Sequence, residues 1–271
     1  MRKVLLTSLG ATSLAFLAGC GGGGGSNGVA SNAVGYYADT NFYSDRFDGS
    51  GRSKANISLN DDDSVTVRVD EGPYSGDEAT FYYDYGSDQY VADLDDGARA
   101  YMVLDSFDDP SINGDEPVVA LIEVDGGGTN STFSTYRATE GMTTNMPRAG
   151  TARYEGGHFG IAAIPGDDVY DIEGSFAANV DFGNASMNGA MATSVGDVTF
   201  DGSIDGPNFS SNNGSIALNG DRSLIDQGAS GVDGGFYGDN AKGMAGTYLI
   251  NGDNGLDGAG MLGNFVGERT R

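Results

Sequence analysis

Glycine occupies 46 of the 271 positions, about a sixth of the chain against a usual share of roughly 7%. It falls between short runs in which apolar and polar residues alternate. Over residues 146–271 this punctuation leaves candidate strands at 150–155, 158–164, 169–182, 185–192, 196–204, 206–218, 232–237, 245–250 and 259–268. The joints between them carry turn signals: Glu155-Gly156-Gly157, Pro165-Gly166-Asp167, Phe182-Gly183-Asn184 and Asp205-Gly206-Pro207. In Asn179-Val180-Asp181-Phe182 and in Asp197-Val198-Thr199-Phe200-Asp201 every second residue faces one side of a strand. No segment sustains the 3.6-residue period of an amphipathic helix. Eight or nine short, evenly spaced antiparallel strands fit an up-and-down barrel, whose closure removes the free edges. A β-sandwich is the other arrangement open to the same strands.

Residues 34–145 read as a second antiparallel β unit. Ser64-Val65-Thr66-Val67-Arg68-Val69 alternates after the turn signal Asn60-Asp61-Asp62-Asp63. Thr80-Phe81-Tyr82-Tyr83-Asp84-Tyr85 is aromatic and strand-like. The runs 99–104 and 117–124 read as more buried strands. Phe133-Ser134-Thr135-Tyr136-Arg137 pairs with the latter across Asp125-Gly126-Gly127-Gly128. Val34-Gly35-Tyr36-Tyr37 is a weak candidate. Tryptophan is absent, but 13 Phe and 14 Tyr supply enough apolar mass for the cores of small domains.

The net charge is −25. Nucleic-acid affinity depends on neutralising phosphates with Lys and Arg, so nucleic acid is excluded as a partner. The charge keeps the protein dispersed, and the sharper reading is a basic protein partner. A single histidine, His158, allows only one base for a Ser-His-Asp or Cys-His arrangement. It follows Gly156-Gly157 and is expected as an exposed turn or strand residue; the alternative is a haem axial ligand. One cysteine and one histidine leave no zinc site of the usual kind. Asp253-Asn254-Gly255-Leu256-Asp257-Gly258 partly mimics a calcium loop. It lacks the third-position carboxylate, and Asn264 stands where the closing glutamate belongs. No metal is assigned. The 39 acidic residues include no spacing that identifies a hydrolytic carboxylate pair. No catalytic residue is assigned, and the chain is read as a non-enzyme.

Met1-Arg2-Lys3 followed by the apolar run Val4–Phe16 reads as a secretory signal, too short to span a bilayer. Leu17-Ala18-Gly19-Cys20 resembles the lipobox of bacterial lipoproteins. That resemblance implies a signal peptide over 1–19, cleavage before Cys20 and acylation there. Loss of residues 1–19 would leave 12 basic residues against 39 acidic ones. Gly21 at the following position favours the outer membrane. Residues 20–33 then form the lipidated cysteine and a Gly-rich stalk.

Gly235-Phe236-Tyr237-Gly238-Asp239-Asn240-Ala241-Lys242-Gly243-Met244-Ala245-Gly246-Thr247-Tyr248 resembles the signature of the transferrin-binding protein B β-barrel family. Leu262-Gly263-Asn264-Phe265-Val266-Gly267-Glu268-Arg269 is similar to its terminal strand. Residues 146–156 resemble its opening strand, and Phe176 to Ala190 its hairpin. Asp239 stands where proline is usual, and Lys242-Gly243 where glutamates are common. The resemblance implies an all-β fold: a handle-like antiparallel domain over 34–145, then an eight-stranded antiparallel barrel over 146–271. It makes Gly235, Phe236, Tyr237, Gly238, Ala241, Gly246, Tyr248, Gly263 and Phe265 structural, with the aromatics as core and corner packing and Gly235, Gly238 and Gly246 as turn and curvature residues. Members bind transferrin, complement factor H, haemoglobin or haem. The expectation is an outer-membrane lipoprotein, displayed at the cell surface, that binds iron- or haem-carrying protein cargo and passes it to a TonB-dependent importer. A structural, adhesive or host-factor-binding surface protein is the alternative.

Overall fold

A computed structural model describes residues 31–72, 74–94, 97–114, 116–126, 129–138 and 141–270. The expected signal peptide, Cys20 and most of the expected stalk lie outside the described residues. The strands are β1 (Ser31–Asn41), β2 (Arg46–Leu59), β3 (Val65–Glu71), β4 (Glu78–Asp84), β5 (Gln89–Asp93), β6 (Arg99–Asp105), β7 (Val119–Asp125) and β8 (Thr129–Arg137). There follow β9 (Thr151–Ile164), β10 (Asp168–Asp181), β11 (Ser186–Thr193), β12 (Gly196–Asp205), β13 (Asn208–Ser211), the two-residue β14 (Ala217–Leu218), β15 (Gly231–Tyr237), β16 (Gly243–Asn251) and β17 (Gly260–Arg269). One short helix, α1 (Pro110–Asn113), is capped by the Asp109 side chain, which accepts from Ser111 N.

Strands β1 to β8 form a closed antiparallel barrel; β8 returns to β1 from Ala33↔Arg137 to Asn41↔Thr129. The sequence marked this half only as an antiparallel β domain. The second barrel runs β9-β10-β11-β12-β13-β15-β16-β17 and closes β17 on β9, Gly260↔Ala163 through Arg269↔Tyr154. The eight-stranded C-terminal barrel read from the sequence is therefore present, and the sandwich is ruled out.

Two joints differ from expectation. Glu155-Gly156-Gly157 is not a turn but the middle of the 14-residue β9. Gly156 and Gly160 let β17 approach there: a Cβ on either would lie 2.1 Å from a β17 carbonyl oxygen, Val266 O and Leu262 O respectively. The candidate strand 206–218, by contrast, breaks after Ser211, where Ser215 N bonds back to Asn212 O.

Each barrel fills its lumen with one set of alternating side chains. Ala55, Val67, Phe81, Met102, Ile122 and Phe133 line the first. Tyr154, Phe176, Phe200, Phe236, Tyr248 and Phe265 line the second. The barrels also pack wall to wall. Tyr36 and Ala38 of β1 meet Ile161, Leu249 and Leu262; Val119, Leu121 and Tyr136 meet Phe159, Ala245 and Val266. Strands β15 to β17 are thus buried on both faces almost end to end.

Candidate binding surface

The motif residues divide by strand parity. Phe236, Tyr248 and Phe265 point into the second lumen. Phe265 stacks on Phe176 with ring centroids 4.4 Å apart. Gly246 and Gly263 face the same lumen. A Cβ on Gly246 would stand 2.5 Å from the Phe265 ring, and one on Gly263 2.5 Å from the Tyr248 hydroxyl. These two glycines therefore make room for aromatic rings. Tyr237 points the other way, into the seam, where its hydroxyl donates to Arg137 O of the first barrel. Gly238 turns the chain at φ 69° beneath α1, its Cβ position 2.9 Å from Ile112 O. Gly235 lies in β15, where a Cβ would meet the Met142 methyl at 2.3 Å. Ala241 is buried in the β15–β16 turn at φ 56°, and its carbonyl accepts a 2.5 Å hydrogen bond from the Tyr154 hydroxyl.

His158 departs from the exposed position expected of it. It sits in mid-β9, 3% exposed, with its ring inside the second barrel. Nε2 lies 2.9 Å from Ala192 O. A carbonyl only accepts, so Nε2 carries the proton. Nδ1, at 3.2 Å, then accepts from the Tyr248 hydroxyl. Burial pushes the imidazole pKa down, so the ring is held neutral. Gly174 lies against Nε2, where a Cβ would come within 2.9 Å. Both nitrogens are thus engaged by the barrel itself, in a packing role.

The seam between the barrels is partly polar. Tyr36 Oη donates to Asp233 Oδ2 at 2.5 Å, and Arg52 Nη2 reaches the same oxygen at 3.0 Å. The Arg52 guanidinium lies 5.5 Å from the Tyr36 ring centre. The Ser134 hydroxyl bonds to Thr247 and to Gly263 O, and Asn264 Nδ2 donates to Thr135 O at 2.9 Å. These groups cross-link β8 to β16 and β17 and fix the relative placement of the two barrels.

The acidic turns are occupied by their own neighbours. Asp62 accepts from Ser64 N and its hydroxyl, Asp221 from Ser223 N and its hydroxyl, and Asp253 from Asn254 N. Among the described residues, no three His, Cys, Asp or Glu side chains gather as a metal site.

An aromatic wall on the first barrel is exposed. Phe81 points into the lumen, so its neighbour Tyr82 must point out. Tyr82 is 60% exposed and Tyr85, in the β4–β5 turn, 91%. Pairing aligns Tyr82↔Val91, Val91↔Tyr101 and Tyr101↔Glu123, so one outward row crosses β4 to β7. Tyr83 shares the inward parity of Phe81, and its ring meets Tyr85 edge-on at 4.9 Å and Tyr90 at 5.3 Å, so these three rings gather on the lumen side of the strands rather than on the outward row. The run Phe81-Tyr82-Tyr83 carried this signal. Three consecutive aromatics in a strand cannot all enter one lumen.

Residues 146–269 match the family model of the C-lobe and N-lobe β-barrels of Tf-binding protein B. A substituted Transferrin Binding Protein B from Haemophilus parasuis is similar in structure at 12% identity, with 89% of this chain and 76% of that one covered and a TM-score of 0.41. A protein described as a surface lipoprotein shares 14% identity over 89% and 100% of the two chains, at a TM-score of 0.40. Transferrin binding protein B from serogroup B Neisseria meningitidis shares 13% over 82% and 60%, at 0.37. No curated protein matches in sequence.

Proposed function

Residues 146–269 being a β-barrel domain of the Tf-binding protein B type, we propose that the chain is a non-enzymatic binding module for an iron- or haem-carrying protein. The observation that carries this reading is the packing of the barrel interiors. Tyr154, Phe176, Phe200, Phe236, Tyr248 and Phe265 occupy the second lumen and are at most 2% exposed. The cavity at one mouth of the first barrel, lined by Ile57, Leu59, Leu104 and Val118, measures about 30 Å³, space for a water or two and far below a haem. Among the described residues the packed interiors and this small cavity favour recognition by outer walls and loops, which suit a macromolecular partner better than a small free ligand. The lipobox resemblance at Cys20 supports anchoring to the outer membrane. There, with the Gly-rich segment as a spacer, the module would display cargo to a TonB-dependent importer. Surface plasmon resonance of the full chain against iron-loaded transferrin and haemoglobin tests the reading, with free haemin alongside. Saturable binding of either protein supports it. Binding of haemin alone, with a Soret shift lost in His158→Ala, would replace it with direct haem carriage.

A further inference from the structure

We propose that Asn213 is a self-modifying site: its side-chain amide is lost to attack by the Gly214 backbone nitrogen, which leaves aspartate or isoaspartate in the turn after β13. The site does not depend on which cargo the barrels bind.

The sequence holds seven Asn-Gly pairs. Glycine has no Cβ to hinder its nitrogen on the way to the preceding side chain, so every such pair can cyclise in an unfolded chain. Asn27-Gly28 lies outside the described residues. The fold restrains five of the other six. Asn113 Nδ2 donates to Glu116 O, and Gly114 N donates to Pro110 O at 2.8 Å. Asn188 accepts from Asn179 Nδ2 inside β11, where Gly189 is paired with β10 on one side and β12 on the other. Asn219 Oδ1 accepts from Asp197 N at 3.0 Å, and Asn219 N donates back to Asp197 O. Asn251 is bonded through both side-chain atoms, to the Ser50 hydroxyl and to Ala229 O, and Gly252 N donates to Ala259 O. Asn254 Nδ2 donates to Ser223 O at 2.5 Å.

Asn213 is the exception. It is exposed at the tip of the turn Asn212–Ser215. Among the described residues, neither its side chain nor the Gly214 nitrogen has a hydrogen-bond partner. Gly214 has φ 77°, and nothing lies within 4 Å of its Cβ position. The turn is held from outside that peptide: Asn212 N donates to Asp201 O at 2.8 Å, and Ser215 N to Asn212 O at 3.1 Å. The peptide between Asn213 and Gly214 can therefore rotate towards the side chain without giving up a hydrogen bond.

The chemistry needs only base and water. Gly214 N gives up its proton and attacks Asn213 Cγ. The new N–Cγ bond closes a five-membered succinimide, the bond from Cγ to Nδ2 breaks, and that nitrogen takes up a proton and leaves as ammonia. Water then opens the ring at either carbonyl. One opening yields aspartate; the other yields isoaspartate, which places Cβ in the main chain. Either product adds a carboxylate to a chain that already carries −25. Isoaspartate also lengthens the backbone just before Ser215 and Ile216, both buried, at 7% and 2% exposure.

The full chain is incubated at mildly alkaline pH, native in one arm and unfolded in urea in the other. Isoaspartate is detected by enzymatic methylation with labelled S-adenosylmethionine and located by fragmentation of chymotryptic peptides. Cleavage after Phe209 and Leu218 separates Asn213 from Asn188 and Asn219. In urea all six pairs should convert together. In the native chain the 210–218 peptide should convert ahead of the other five, and Asn213→Gln should lose that signal while remaining folded by circular dichroism. Native conversion that begins at another of the six pairs, that spreads over them as it does in urea, or that spares Asn213 would overturn the proposal.

Discussion

The phenol of Tyr36, on the outer face of the first barrel, donates a 2.5 Å hydrogen bond to Asp233, on the outer face of the second. The two residues are 197 positions apart in the chain. Burial beside a carboxylate pushes the Tyr36 pKa up, so the hydroxyl remains a donor throughout the physiological range. Arg52 joins the pair, but its side chain is 70% exposed and adds little on its own.

Tyr36→Phe should cost about 1–3 kcal/mol, because a largely buried carboxylate loses its donor. Combining it with Asp233→Asn should restore part of the loss. Urea unfolding of the two single variants and the double variant measures the coupling; strictly additive effects would mean that water replaces the phenol without penalty.

Gly263 and Gly206 separate two roles of glycine. At Gly263 a Cβ would meet Phe159 O at 2.2 Å and the Tyr248 hydroxyl at 2.5 Å. Gly263→Ala should therefore destabilise by about 3 kcal/mol or prevent folding. Gly206 has φ 57° in open space, so Gly206→Ala should cost only about 1–2 kcal/mol. Thermal melts of both variants check the order.

His158 predicts acid sensitivity. Its pKa is depressed in the folded state by burial. The unfolded chain therefore binds the proton more readily, and stability is retained above about pH 6.5 and lost progressively as pH falls below it. A His158→Gln chain should show a flatter stability profile below about pH 6.5 by chemical denaturation.

Asp105 acts in the opposite sense. Burial raises its pKa to about 6, against a modest opposing hydrogen bond from Ser106 N. Its contribution is present below pH 3.8 and is lost as pH rises through about 6. Asp105→Asn should thus stabilise the protein at pH 8 by up to about 3 kcal/mol and have no such effect at pH 3.5. Equal effects at both pH values would refute burial as the cause.

Cys20→Ser should abolish incorporation of an alkynyl palmitate analogue and release the protein from the membrane fraction, if acylation at this residue is the anchor. Labelling that persists in the variant would move the anchor elsewhere.

Much of the candidate surface was legible in residue order. Phe81-Tyr82-Tyr83 forces one tyrosine out of a lumen, and the flanking aspartates are adjacent in sequence. His158 was not legible in this way: two glycines before it resemble a turn, yet both lie inside one long strand. Glycine marks a reversal in one setting and a close approach of neighbouring strands in another, and only the adjacent backbone distinguishes them.

The sequence alone determined that the chain is β-structured, that its C-terminal half is a barrel of the Tf-binding protein B type, and which side chains share a face. The period of two along a strand settles those matters locally. The tertiary structure decided that the N-terminal half also closes, that Tyr237 faces a neighbouring barrel while Phe236 faces a lumen, and that Tyr36 meets Asp233. Those outcomes depend on which strand returns to which edge and which outer wall is covered. They are set by contacts between residues far apart in the chain, which no local pattern encodes.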